Sequence, residues 1–421
     1  MEEVKIDKLV FGGQGLGTLA DGRKVFVWNA LPGETVQARI IRKKKSYVEA
    51  IAEEIVTASQ ERIEPAEANY LATSPWQIMT YAAENVYKKD ITTELFAREK
   101  VALPEFALKS PDTEWHYRNK MEYSFWGDDD GLHLALHMRG SHGKQIVQGS
   151  RLALPAIDAA ANAICVGLNT LNNGKGARAG DLKTLIVRCN QKGEAVASLF
   201  TKLEKFKELE LPRELKGLRV YHSNPRSPAS VQTELLYELG DVLLHDTLLG
   251  KPFVYDVDSF FQVNVPIFEQ VLTAIKSHVT EPEVTDMYAG VGSIGLSLAA
   301  DKVDLVELDP ATVRMASHNA SVASEQIVVS VIETSTEKAL DYISADKPVI
   351  FDPPRAGLHD KVVERVLGVM PPKVVYLSCN PSTQVRDLAK LQDKYDVTFF
   401  EAYNFFPRTP HIETLAVLRK K

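Results

Sequence analysis

The first 58 residues alternate short β-type apolar runs with turn signals at Gly12-Gly13, Asp21-Gly22 and Leu31-Pro32-Gly33-Glu34. Regular spacing of this kind predicts a small all-β barrel. From 80 to 99 the apolar residues fall at turn-like intervals with no Gly or Pro inside, which predicts a helix that Pro104 and Pro111 keep from continuing. Residues 113 to about 248 read as mixed α+β, with strand candidates at 121–126, 132–138 and 182–187. From about 251 onward, apolar strand-like runs at 283–288, 303–308, 328–332, 348–351, 374–377 and 397–400 alternate with helical ones. That alternation predicts a mostly parallel, doubly wound α/β sheet. The chain is therefore expected to form three parts, 1–58, 59–250 and 251–421, with the helix at 80–99 a candidate to pack on the last.

Composition narrows the class. At 421 residues, 45% hydrophobic and 25% charged, the chain resembles an ordinary globular protein with room for two or three cores. No run of about 18 apolar residues is present to span a bilayer, and MEEVKIDKLV lacks the basic, apolar and small-residue succession of a signal peptide. A cytoplasmic location without a membrane or obligate protein partner is expected. Cys165, Cys189 and Cys379 are too few and too dispersed for a disulfide framework or a CxxC metal site, so reduced thiols are expected. The net charge of -7 argues against a protein that coats nucleic acid indiscriminately. Local charge still matters: Arg39, Arg42, Lys43, Lys44 and Lys45 form a basic cluster that suits either a solvated strand edge or an RNA contact. In Tyr117-Arg118-Asn119-Lys120 an aromatic beside Arg, amide and Lys would suit a clamp on RNA phosphate and base, or a structural turn.

Three clusters carry candidate chemistry. Leu377-Ser378-Cys379-Asn380-Pro381 follows a buried-strand pattern that would deliver Cys379 to a strand's C-terminal end, where open α/β sheets keep their ligand crevices. A free cysteine standing alone is usually a small buried hydrophobe. Asp352-Pro353-Pro354-Arg355, ending 24 residues before that cysteine, also sits after an apolar strand. Its prolines fix the loop and remove two donors. Asp286-Met287-Tyr288-Ala289-Gly290-Val291-Gly292-Ser293-Ile294-Gly295 ends a strand, turns on glycines, and is expected to open a helix through 296–300. Glu307, 17 residues after Gly290, stands where an acid accepts ribose hydroxyls, so a nucleoside-bearing cofactor is expected. The glycines do not choose between a dinucleotide and S-adenosylmethionine. Glu413, just before the run Leu415-Ala416-Val417-Leu418, would by itself pass for a surface acid, and nearby His411 competes for the role of base.

With those motifs in view, two resemblances become specific. Phe11-Gly12-Gly13-Gln14-Gly15-Leu16-Gly17, Gly22-Arg23-Lys24-Val25-Phe26-Val27 and Leu31-Pro32-Gly33-Glu34 resemble the TRAM domain, a five-stranded OB-like RNA-binding module, which favours RNA contact for the basic cluster. DMYAGVGSIGLSLA, FFQVN at 260–264, DPPRAGL, LSCNPSTQVRDL and FPRTPHIET resemble the RNA uracil-5-methyltransferase family along nearly the whole chain. Amine methyltransferases usually place an aromatic after the two prolines, as in NPPY, so Arg355 argues against an exocyclic-amine target. The resemblance implies a class I methyltransferase domain, S-adenosylmethionine as cofactor, Cys379 as nucleophile and Glu413 as base. It also implies that Gln262, Tyr288, Ser293, Glu307 and Asp352 line the cofactor and substrate pocket; the glycine turn adds Gly290 and Gly292 as cofactor contacts, and Arg355, Arg118, Asn119 and Lys120 stand as candidate RNA contacts by residue type.

The implied chemistry explains these residue types. Uracil C5 is a poor nucleophile until a thiolate adds at C6, and a carboxylate must then remove the C5 proton. The thiol is expected to be lowered by Arg355 or a helix terminus, and the uridine must leave its stack. The TRAM domain favours 23S rRNA as substrate, with tRNA uridine as alternative and a non-catalytic RNA-binding or chaperone protein as the contrasting class. Many TRAM-bearing relatives hold an iron-sulfur cluster with four cysteines, three of them in a C-x5-C-x2-C pattern before a Trp-Gln or Leu-Gln pair. Aligning on Trp76-Gln77 puts Ala66, Ala72, Pro75 and Ser150 there, so no cluster and no other metal is expected.

Overall fold

The computed structural model describes every residue except 142, 175, 228–229 and 324–325, with the side chains of 172–174 also left out. Strands Glu2–Leu9, Gly15–Thr18, Lys24–Trp28, Thr35–Lys43 and Tyr47–Thr57 close into a barrel. Its core is the inward half of each alternation: Val4 and Ile6, Val25 and Val27, Val36 and Ala38, Val48, Ala50 and Ala52. Gly17 is required here, because a Cβ would lie 2.5 Å from the Lys5 carbonyl oxygen. Buried Glu34 fastens the barrel to the next segment, accepting from the backbone N–H of Leu31 (2.8 Å) and Ser59 (3.1 Å) and from Arg62 Nη2 (2.8 Å).

The middle of the chain forms a seven-stranded sheet of Lys120–Asp128, Gly131–His137, Lys144–Ile146, Leu182–Cys189, Ala195–Thr201, Gly217–His222 and Glu234–Gly240. Helix Pro155–Gly174 covers one face, packing Ile157, Ala161, Ile164 and Leu168 on Tyr123, Leu185, Val187 and Leu199. Cys165 and Cys189 are buried in this core.

Strands Val328–Glu333, Lys302–Glu307, Glu283–Met287, Val349–Phe351 and Lys373–Ser378 lie side by side in that spatial order and run parallel. Glu413–Lys420 then adds antiparallel and Tyr395–Tyr403 antiparallel to it. Leu108–Lys109 completes the far edge of this eight-stranded sheet. Helix Tyr81–Arg98, capped by Thr80 accepting from Ala83 N–H, packs Leu95 and Phe96 with Val385, Leu388 and Phe400. The fold is thus a small closed barrel, an α+β centre and a mostly parallel α/β sheet, the three parts that the alternation of runs predicts.

One expected element is absent. The run 296–300 is not an α-helix: Gly295–Ser297 make a single 3₁₀ turn and 298–300 continue without helix. Lys302 already starts the next strand, so Leu296, Leu298 and Ala300 enter the core in extended or turn geometry instead of winding.

Candidate active site

The C-terminal ends of the parallel strands open on one cavity of about 1050 Å³, whose wall includes Gln262, Tyr288, Gly290, Glu307, Asp352, Arg355, Cys379 and Glu413. Cys379 follows a strand whose six residues are all buried, and is itself only partly covered. Asn380 fixes that position twice: its side chain accepts from Ser382 N–H (3.2 Å), capping helix Pro381–Leu391, and donates to the Arg355 carbonyl (2.8 Å). The cysteine turn and the Asp-Pro-Pro-Arg loop are therefore one hydrogen-bonded unit. Gln262 Nε2 donates to Asp352 Oδ2 at 3.2 Å, tying the chain after the central sheet to the same loop. Glu307 accepts from the backbone N–H of Gly290 (2.9 Å), Leu308 (2.7 Å) and Asp309 (2.9 Å), which holds its carboxylate at the strand end.

Electrostatics at the wall differ from the sequence expectation. Burial, reinforced by Glu413 and Asp352, pushes the Cys379 thiol up to about 12, while Arg355 pulls it down. The expected lowered thiol is not found, because burial, reinforced by the two acidic neighbours, outweighs the one guanidinium. Burial likewise raises Asp352 to about 7, with the Gln262 hydrogen bond opposing, and raises Glu413, only 4% exposed, well above its ordinary value. His411 lies on the same wall, and burial with Arg355 beside it lowers it to about 4.

Several expected contacts are relocated. Gly292 and Ser293 do not reach the wall: a Cβ on Gly292 would meet Leu296 and Leu305 in the core, and the Ser293 carbonyl accepts from Ser297 Oγ (2.6 Å). Asn119 is buried, with its Nδ2 donating to the Gln262 carbonyl (2.9 Å) and its N–H to that of Val263 (3.0 Å). It orients Gln262 and is not presented to RNA. Lys120 is also off the wall, lowered to about 8 chiefly by burial, with Arg188 adding to the effect. Arg118 does line the cavity, 6.0 Å over the Phe406 ring, with its Nε buried and unpartnered. Arg39, Arg42, Lys43, Lys44 and Lys45 are exposed where strands Thr35–Lys43 and Tyr47–Thr57 meet, none of them lines the cavity, and Arg39 pairs with Glu53.

Other wall residues went unread. Phe260, 59% exposed, and Phe406 stand inside the family motifs, whereas Thr334, Ser335, Thr336 and Glu337 follow a strand and were findable by the strand-end rule alone. The wall suits a nucleoside cofactor: Glu307 has lone pairs for hydroxyls, Val306, Leu308 and Phe260 offer apolar surface, and the acidic groups complement a cation. Among the described residues no cluster of three His, Cys, Asp or Glu side chains is placed to hold a metal.

The family described as tRNA (Uracil-5-)-methyltransferase matches residues 244–421, and the TRAM domain family matches 1–52. An uncharacterized RNA methyltransferase of Listeria monocytogenes is 31% identical over 99% of this chain and 97% of its own length. The chain belongs to the RNA uracil-5-methyltransferase family. A similarly named protein of Thermotoga maritima is 28% identical over 100% of this chain and 99% of its own. The fold of this methyltransferase is also that of the Pyrococcus abyssi tRNA (uracil-54, C5)-methyltransferase, solved with S-adenosyl-L-homocysteine. The two match with a TM-score of 0.77 at 20% identity, over 99% of this chain and 100% of the other. Among the described residues no helix is long and apolar enough to cross a membrane.

Proposed function

We propose that this enzyme methylates C5 of a uridine in RNA through a covalent adduct between Cys379 Sγ and uracil C6, with Glu413 removing the C5 proton. The observation that carries this reading is that Cys379, Glu413, Asp352 and Glu307 share the wall of one cavity large enough for a nucleoside cofactor beside a flipped base. When bound, S-adenosylmethionine supplies an electrophilic methyl group and a positive charge. The chain's own residues do the remainder. Cys379 loses its proton to solvent and adds as the thiolate to C6, leaving the electron pair on C5 that takes the methyl group. Glu413 as carboxylate then accepts the C5 proton, and the returning electron pair expels the Cys379 thiolate. Gln262 and Asp352 present an amide and a carboxyl to the edge of the pyrimidine, and the Arg118 guanidinium adds a positive charge to the same wall.

The TRAM barrel favours 23S rRNA. tRNA is the second reading, because the Pyrococcus neighbour named as a tRNA enzyme is matched over its whole length, barrel included. Mapping 5-methyluridine after incubating the enzyme with each RNA separates the two. In the same assay Cys379→Ala should abolish methyl transfer while S-adenosylhomocysteine still binds, and Glu413→Gln should accumulate an SDS-stable protein–RNA adduct. Normal turnover by either variant overturns the assignment of that residue, and adduct trapped by His411→Ala instead makes His411 the base.

A further inference from the structure

Between strands Tyr395–Tyr403 and Glu413–Lys420 the chain makes a long connection, and its two ends meet because Tyr403 is the register partner of Glu413. Phe406 and His411 within it stand on the cavity wall with Glu413. Most of its backbone lacks ladder partners, and Arg408 is left-handed at φ 65°, which an L side chain adopts only when its surroundings impose it. The surroundings in question are two charges on helix Tyr81–Arg98. Glu84 and Lys88, one turn apart and both buried, are 2.9 Å from each other.

The pair grips the connection at alternate residues. Glu84 accepts the Arg408 N–H on both carboxylate oxygens, each at 3.0 Å, and Asn404 Nδ2 at 3.0 Å. Lys88 Nζ donates to Asn404 Oδ1 at 2.6 Å and to the Phe406 carbonyl at 3.1 Å. On the outer side Trp76 N–H donates to the Arg408 carbonyl (3.1 Å), and Arg408 Nη1 to that of Met79 (2.6 Å). Neither Glu84 nor Lys88 lines the cavity. A buried ion pair is a weak source of net stability, since desolvation offsets its attraction, and apolar residues of similar volume would pack as well. Apolar residues could not, however, hold one specific N–H, one carbonyl and one amide.

We infer that Glu84 and Lys88 are positioning residues, a charged template that sets the 404–412 connection so that Glu413 and Phe406 face the substrate. This rests on Glu413 being the base. Replacing one partner alone leaves a buried unpaired charge, so the test uses Glu84→Gln/Lys88→Met together, in the full chain, with Glu413→Gln in parallel. The double variant should lose at least tenfold in kcat at saturating RNA and accumulate the SDS-stable adduct, with S-adenosylhomocysteine affinity within twofold of wild type. A merely structural role would lower the melting temperature without trapping adduct. Wild-type turnover, or slowed turnover without adduct where Glu413→Gln does trap it, overturns the inference.

If Glu413→Gln traps nothing, the base assignment fails, and the template is judged by hydrogen exchange of the Arg408 amide. In the wild type that amide should exchange as slowly as Leu415, and in the double variant faster. Exchange in the wild type as fast as residues 43–46 overturns the inference, including where the double variant does not fold.

Discussion

In the free enzyme Cys379 should be a poor nucleophile. Burial, Glu413 and Asp352 push its thiol up to about 12, against an ordinary value of 9.0, with Arg355 pulling the other way. At pH 8 a thiol near 12 is ionised about a thousandfold less than one near 9, and after allowing for the greater nucleophilicity of the more basic thiolate, alkylation should run roughly 30- to 60-fold slower than at an exposed cysteine. The assay is iodoacetamide labelling of the ligand-free protein between pH 7 and 10, with the Cys379 peptide quantified by mass spectrometry against a free cysteine peptide. The rate should rise about tenfold per pH unit without a plateau, because only the thiolate reacts. Arg355→Met should slow labelling further by removing the opposing positive charge. Both groups that must act ionised, Cys379 and Glu413, are raised, so kcat/KM should also climb with pH through the neutral range. A plateau below pH 9, or labelling within tenfold of the reference at pH 8, refutes the electrostatic account.

Neutralising Arg39, Arg42, Lys43, Lys44 and Lys45 should weaken RNA binding and lower its log–log salt slope by roughly 0.7–0.9 for each phosphate that is no longer neutralised. An unchanged slope returns the run to a solvated hairpin tip. Gly13→Ala should destabilise the protein by roughly 1–3 kcal/mol, since its Cβ would lie 2.4 Å from Pro410 Cβ at φ +97°. Gly12→Ala is the control, at φ +99° with open space around it, and equal melting-temperature losses in the two would deny the close approach. Protein purified anaerobically should be colourless, and stoichiometric iron with acid-labile sulfide would show the alignment on Trp76-Gln77 to be in error.

Strand ends were legible because their apolar runs stop at polar clusters, which is how Cys379, Asp352 and Glu307 fall on one wall. The helix expected after Gly295 was not, because apolar composition does not reveal that the next strand begins too soon to allow it. Asn119 and Lys120 looked like RNA contacts because sequence shows residue types and not burial; one holds Gln262 and the other is packed away from the wall. The hydrogen bonds around Ala66 and Arg151 were also hidden, being polar and long-range. Gln77 accepts from Ala66 N–H (2.9 Å) and donates to Glu67 (2.7 Å), which in turn accepts from Arg151 N–H (2.7 Å). Nor could periodicity show that Trp76 Nε1 donates to the Gly13 carbonyl (3.0 Å) while its backbone N–H donates to that of Arg408 (3.1 Å), so that Trp76 bridges the barrel and the connection that precedes Glu413. Deleting the barrel would therefore disturb chemistry as well as RNA affinity, whereas neutralising the basic run tests affinity alone.

The edge strand Leu108–Lys109, paired with Ala402 and Tyr403, also sets an order of assembly. About 300 residues separate the partners, so at 5–20 residues per second a ribosome takes roughly 15–60 s to supply the second after the first. During that interval Glu84 and Lys88 lack their partners at 404–408, while the barrel and central sheet can already close. The last strands to emerge then complete the sheet, cover both charges and install Glu413 in a single late event. A chain arrested before residue 395 would carry Cys379 on an unfinished sheet with an open edge, a species for chaperones and proteases and not a slow enzyme.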